Sequence, residues 1–312
     1  MMRGKLITTA TLVALIGLAV VSAADQPPTA TFKAGVDLVR VAAVVRDHKG
    51  RFVQDLSAND FEIFDGGQRR SITDFRRDIA GVSVALLFDV SGSMEGHLSN
   101  AREAATHVLS WLDGRDEAAV FTFDTQLQQS SAFTKSPQSL PEQLSSVVPF
   151  GATSLHDAIA ETARRVADRE GRRRAVVVLT DGNDNASRLT PEQVSAIASE
   201  IDVPVYILGV VPAIDNPTAD TATMSVERSA LAGPLADLAN WTGGHVFVVS
   251  TPGQRSIAAR QIIDELRHQY LIAFESSGNP GWHPLVVRAR QKDLVVRARS
   301  GYMAGQSRLS ES

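Results

Sequence analysis

The sequence contains no cysteine. That excludes a disulfide framework, a thiolate nucleophile and any cysteine-based zinc site, so a metal would have to be held by oxygen or histidine. Neither sign of charge dominates: 31 Lys plus Arg stand against 35 Asp plus Glu, a net charge of −4. Without a basic excess the chain is a poor candidate for phosphate-backbone binding, and nucleic acid is set aside as a partner. Beyond the N-terminus there is no long apolar run, which excludes a multi-span membrane protein. The seven histidines show no HExxH or other paired spacing, and GxGxxG, GxxxxGK[ST] and GxSxG are all missing. What remains is a chain of 312 residues, 44% hydrophobic and 21% charged. This is a globular composition with room for about two domains at roughly 100–200 residues each.

The N-terminus has the order of an export signal. Arg3 and Lys5 open it, a mostly apolar run from Leu6 to Val21 follows, and Val21-Ser22-Ala23 offers small residues for cleavage. The run is shorter than the roughly 20 residues a spanning helix needs. Residues 1–23 are therefore expected to be a signal peptide cleaved near Ala23, making the mature protein periplasmic or secreted. An uncleaved N-terminal anchor is the alternative. No other membrane segment is expected.

Further along, residues 24–34 are polar with paired prolines and read as a leader. Residues 35–78 have period two: Val39, Val41, Ala43 and Val45 alternate with Arg40 and Arg46, and Phe61 and Ile63 share one face of a second run. From residue 80 the pattern changes. Val82–Phe88, Ala118–Phe123, Ala175–Leu179, Val205–Val211, His245–Val249 and Tyr270–Phe274 are apolar runs, as expected for strands buried on both faces. Between them, Ala101, Ala104, Ala105, Val108 and Leu112 share a helical face, as do Leu155, Ile159, Ala163 and Val166. Thr190-Pro191 reads as a helix cap with a first-turn proline. Strands alternating with helices over 80–275 predict an α/β fold with a mostly parallel, doubly wound sheet. A polar stretch, 212–229, follows one strand at the edge where such sheets bind ligands. Period two returns over 280–303, where Leu285–Arg290 (LVVRAR) recurs as Leu294–Arg299. Gln291-Lys292-Asp293 between the copies predicts a hairpin, with the four arginines on its solvated face. Residues 304–312 read as a tail. The two β flanks are each too small to bury a face alone, so they are expected to pair into one accessory β unit.

The chemistry concentrates at strand ends. The first buried run ends in Asp89-Val90-Ser91-Gly92-Ser93, and another ends in Leu179-Thr180-Asp181-Gly182. In a parallel sheet both ends lie on one rim. Gly151-Ala152-Thr153-Ser154 precedes an amphipathic helix on the same edge. Asp89, Ser91, Ser93, Thr153 and Asp181 thus form a convergent set of hard oxygen donors, suited to Mg²⁺, Ca²⁺ or Mn²⁺. Two carboxylates leave a divalent ion nearly neutralised, and the three hydroxyls add only dipoles, so the ion keeps its appetite for a further carboxylate. Such an ion would bridge this chain to a protein partner.

This pattern resembles the von Willebrand factor type A family. Asp89–Ser93 is similar to its DxSxS metal-ion-dependent adhesion site (MIDAS), Gly151–Leu155 to its threonine loop and Leu179–Gly182 to its aspartate loop. The flanks, with Leu56–Ile63 before the domain and Arg297–Tyr302 after it, resemble a bacterial exported subgroup. The resemblance implies a six-stranded sheet with one antiparallel edge strand, for which Leu127–Phe133 is the candidate. It also implies Mg²⁺ as the ion, and binding rather than catalysis.

Accordingly no catalytic residue is assigned. The leading expectation is an exported adhesion or assembly module that grips a partner's acidic residue through the ion. One alternative is a Mg²⁺-dependent phosphohydrolase with Asp89 as nucleophile, although phosphoaspartyl hydrolases place an acid two residues on, where this chain has Ser91. Another is a purely structural metal. Asp184 and Asn185 are candidates for orienting waters on the ion, and His97 and His156 lie near the expected rim.

Overall fold

The computed structural model describes residues 38–77, 81–169, 172–200, 202–211, 231 and 233–304. The expected signal peptide, the polar leader, the 212–229 stretch and the tail from 305 lie outside the described residues. Four strands come first: β1 (Leu38–Arg46), β2 (Phe61–Asp65), β3 (Gln68–Arg70) and β4 (Ile72–Arg76). The α/β part follows with β5 (Val82–Asp89), α1 (Leu98–Ser110), β6 (Glu117–Phe123), β7 (Leu127–Lys135), α2 (Leu155–Ala167) and β8 (Arg173–Thr180). It continues with α3 (Pro191–Glu200), β9 (Val205–Val210), α4 (Pro234–Thr242), β10 (Val246–Val249) and α5 (Pro252–Arg267). Four more strands close the described chain: β11 (Tyr270–Glu275), β12 (Gly281–Ala289), β13 (Val295–Ala298) and β14 (Gly301–Ala304).

The central sheet has six strands in the order β10-β9-β8-β5-β6-β7. All neighbours are parallel except β6 and β7, so β7 is the antiparallel edge that the resemblance implied. Every residue of β5 and β6 is buried, while β7 carries Gln128, Gln129 and Ser130 on a half-exposed edge. That contrast follows from position: central strands meet helices on both faces, and an edge with polar side chains resists pairing with other chains. On one face Val84, Leu86 and Phe88 of β5 pack with Ala101, Ala105 and Val108 of α1 and Ile262 of α5. On the other, Ala85 and Leu87 pack with Leu155, Ile159 and Ala163 of α2 and with Val194 of α3. The predicted helix faces are the buried ones. Thr190 accepts from Gln193 N and Gln193 Oε1 accepts from Thr190 N, the reciprocal cap expected before Pro191.

The flanks build two four-stranded sheets, β13-β1-β11-β4 and β14-β12-β2-β3. They share one core: Val41 and Val45 of β1, Phe61 and Ile63 of β2, Ile272 and Phe274 of β11, Leu285 and Val287 of β12, and Tyr302. The two ends of the chain therefore do pair, β1 with β13 and β2 with β12.

Three expectations are corrected. Tyr270–Phe274 is a strand, but it runs antiparallel between β1 and β4 in the accessory unit, outside the central sheet. An apolar run marks any strand with neighbours on both sides and does not say which sheet it joins. The LVVRAR copies do not form a hairpin with each other: β12 pairs with β2 and β14, and β13 with β1. Identical segments share a propensity but not a partner, and the chain crosses between sheets at the predicted turn. The four arginines also part company. Arg288 and Arg290 are exposed, whereas Arg297 joins Glu265 and Arg299 is buried against the Arg40 carbonyl.

Candidate metal centre

Asp89 ends β5 and Thr180 ends the adjacent parallel strand β8, where Phe88 stands opposite Leu179. The helices that follow these strands leave to opposite faces, α1 into one core and α3 into the other. That opens a crevice at the carboxyl ends between the two strands, the place where open α/β sheets bind ligands. Three loops meet there and are stitched together by their backbones. Gly92 N donates to Gly151 O at 3.0 Å, Phe150 N to Val90 O at 3.0 Å, and Asn185 N and Ala186 N to Thr153 O at 3.0 and 2.9 Å. A Cβ on Gly92 would sit 3.3 Å from Gly151 O, so the absence of a side chain permits this close approach. Gly151 itself has φ +86°, a left-handed conformation that glycine adopts without strain.

The side chains follow from this frame. Asp89 is 0% exposed. Its Oδ1 accepts from Ser91 N (3.0 Å) and Ser91 Oγ (2.6 Å), and its Oδ2 accepts from Thr180 Oγ1 (2.7 Å). Each carboxylate oxygen has two lone pairs, so Oδ1 is filled and Oδ2 retains one. Ser91 Oγ lies 3.1 Å from Ser93 Oγ. With its proton on Asp89, Ser91 has lone pairs left to offer a cation. Asp181 accepts from Asn183 N and Nδ2, one bond on each oxygen, so it too keeps a free lone pair on each. Thr153 is buried, and its hydroxyl has no hydrogen-bond partner among the described residues. The structure thus brings Asp89, Ser91 and Ser93 into direct contact. Asp181 lies close enough for its charge to act on Asp89, and Thr153 joins through the shared backbone.

Burial pushes the Asp89 carboxyl up to about 6, against the opposing hydrogen bonds from Ser91 and Thr180, and the Asp181 charge adds to the rise. A buried carboxylate bonded to a serine hydroxyl and within reach of a second carboxylate's charge has donor chemistry that fits a small divalent cation. Among the described residues no three His, Cys, Asp or Glu side chains cluster as a metal site, so a cation here would rely on hydroxyl and water oxygens alongside the two carboxylates. As to the phosphohydrolase alternative, the position two residues after Asp89 holds a hydroxyl that donates to Asp89 itself, not an acid.

The neighbours named from sequence bond to the loops around them. Asn185 Oδ1 accepts from Thr153 N at 2.8 Å and so positions the threonine loop. Asp184 Oδ2 accepts from the His156 backbone (3.0 Å), faces His156 Nδ1 at 2.7 Å and accepts from Ser187 Oγ at 2.6 Å. Burial alone would raise Asp184, but these bonds outweigh it and hold it well below the usual carboxylate range. It staples α2 to the aspartate loop. His97 stands at the N-cap of α1 and uses no side-chain cap bond. Thr180 was missed: its hydroxyl links Asp89 Oδ2 to Gly182 N (3.0 Å), a role that only the pairing of β5 with β8 discloses.

Residues 84–183 match the family described as von Willebrand factor type A domain. The matched stretch, about a third of the chain, holds Asp89, Ser91, Ser93, Thr153 and Asp181. No curated protein matches the chain. Among solved structures, an aerotolerance-related membrane protein from Bacteroides fragilis, solved with multiple mutations to serine, is 21% identical. The alignment covers 60% of this chain and 98% of that one, with a TM-score of 0.49. A von Willebrand factor type A protein from Catenulispora acidiphila is 14% identical over 88% of this chain and 76% of its own, TM-score 0.48. Proximal thread matrix protein 1 from the mussel byssus, solved with zinc in its MIDAS motif, is 19% identical over 65% and 49%, TM-score 0.46. No described helix is long and apolar enough to cross a membrane.

Proposed function

We propose that this chain is an exported protein-binding module, serving adhesion or assembly, that grips an acidic residue of a partner through a divalent cation. Asp89, Ser91, Ser93, Thr153 and Asp181 would hold the ion. Magnesium is the first choice and Mn²⁺ or Ca²⁺ the alternatives, since all five donors are hard oxygens. What supports the reading is the meeting of three loops at the β5–β8 crevice, joined by the bonds Gly92 N to Gly151 O, Phe150 N to Val90 O, and Asn185 N and Ala186 N to Thr153 O, with the buried Asp89 carboxylate bonded to Ser91 and within reach of the Asp181 charge. When bound, the ion supplies an electrophilic position at which a partner's carboxylate can replace water. The chain's own part is to fix the donors: Asp89 orients the Ser91 hydroxyl, Asn185 holds the threonine loop, and the Thr180 hydroxyl bridges the two strand ends. Export rests on the charge, apolar run and small residues of positions 1–23.

Calorimetric titration with Mg²⁺ tests the site, and capture of periplasmic proteins with and without EDTA tests the function. Wild type should bind the ion and retain a partner only without chelator, and Asp89→Ala and Thr153→Ala should lose both. Undiminished metal binding and capture by both variants would refute the proposal.

A further inference from the structure

Val148 and Phe150 are 78% and 80% exposed, the two barest large apolar side chains among the described residues. Both lie on the short segment that delivers Gly151 and Thr153 to the candidate metal centre. Their exposure is built in. Leu144 and Val147 on the same segment pack into the core beneath. Arg102 of α1 donates to Leu144 O at 2.8 Å and to Val147 O at 3.1 Å. Phe150 N is bonded to Val90 O, one residue after Asp89. Backbone and anchors are thus fixed while two apolar side chains are held out into water beside the ion-binding rim. A loop whose only task was to present Thr153 would have polar residues at these positions. An aromatic group exposed on a rigid support with an apolar neighbour is a common kind of interface anchor, because little ordering remains to be done on binding.

The geometry points to a two-part recognition surface in which the partner offers an Asp or Glu to the cation and an apolar side chain, close by in the same segment, to Phe150 and Val148. This rests on the cation-dependent binding proposed above and specifies the partner: an acidic residue with apolar neighbours, as opposed to an acidic cluster. Continuity with the metal rim is what selects this occupant. A carboxylate on the ion brings its flanking side chains over the segment that carries Phe150.

The test uses the full chain and two end-blocked, fluorescent pentapeptides, each with one central glutamate, flanked in one by glycines and in the other by leucines. In saturating Mg²⁺ the leucine-flanked peptide should bind wild type on the order of tenfold more tightly. Phe150→Ser and Val148→Ser should erase that advantage while leaving Mg²⁺ affinity, the glycine-flanked peptide and the melting temperature unchanged. Equal affinity of the two peptides for wild type would overturn the inference and leave the cation reading standing. Binding of the leucine-flanked peptide that persists in EDTA and in Asp89→Ala would overturn the cation reading, and with it the two-part surface. Failure of both peptides to bind would overturn both. A dimer in sedimentation that Phe150→Ser dissolves would assign the patch to a second copy of the chain and overturn the inference as well.

Discussion

Replacing Asp89 by Asn should stabilise the metal-free protein while abolishing its metal binding. The carboxyl is fully buried, and its pKa rises from 3.8 to about 6. A rise of about two units is worth about 3 kcal/mol at 1.36 kcal/mol per unit. The sign follows from proton binding: between pH 3.8 and about 6 the folded state holds the proton more tightly than the unfolded one. Metal-free stability therefore falls as pH rises through that window and stays low above it. At pH 7 the buried charge is uncompensated. Asparagine removes the charge and keeps the shape, with its carbonyl accepting from Ser91 and its amide facing Thr180 Oγ1. Thr180 then loses an acceptor for its own proton, at about 1 kcal/mol. The remaining gain of about 2 kcal/mol corresponds to a melting temperature raised by roughly 3–4 °C in a chain of this size. Thermal melts in EDTA at pH 7 should show it, and at pH 4 the variant should melt level with or slightly below wild type, which has by then taken its proton while the variant still lacks the Thr180 acceptor. Saturating Mg²⁺ should narrow or reverse the order by stabilising wild type alone, about 2.7 kcal/mol at a hundredfold excess over Kd. A variant no more stable than wild type at pH 7 in chelator, or a gap that ignores pH, would refute the reasoning.

Thr153→Ala should cost about 1 kcal/mol in urea melts, the loss of one buried methyl group, yet weaken Mg²⁺ binding at least tenfold by calorimetry. Asn185→Ala removes the acceptor of Thr153 N and should cost about 1–2 kcal/mol in urea melts, with metal affinity falling in parallel. Glu265, on the last turn of α5, meets both Arg46 of β1 and Arg297 of β13 and is 4% exposed. Glu265→Ala should destabilise by about 2 kcal/mol, less than a fully buried pair because both arginines reach water. An unchanged denaturation midpoint would show that this contact between α5 and the accessory sheets does not matter.

Much of this protein is written in short-range spacing. Alternation in Val39–Val45, the helical stripe Leu155–Val166 and the all-apolar Val82–Phe88 announce elements whose buried faces came out as expected, because period and burial are properties of a dozen neighbouring residues. The candidate site was legible for a related reason: Asp89 ends one recognisable strand and Asp181 follows the end of another, and parallel strands end on one rim. Tertiary contact alone decided partners. Nothing in Tyr270–Phe274 tells a central α/β strand from one running antiparallel between β1 and β4, and the twin LVVRAR segments went to different sheets despite identical propensity. The bond from Thr180 to Asp89 spans 91 positions of sequence. The placement of Asn185 under Thr153, the burial of Arg299 and the exposure of Phe150 likewise depend on surfaces assembled from distant parts of the chain. A local pattern states what a segment must bury or expose, and only the folded chain supplies the surface against which it does so.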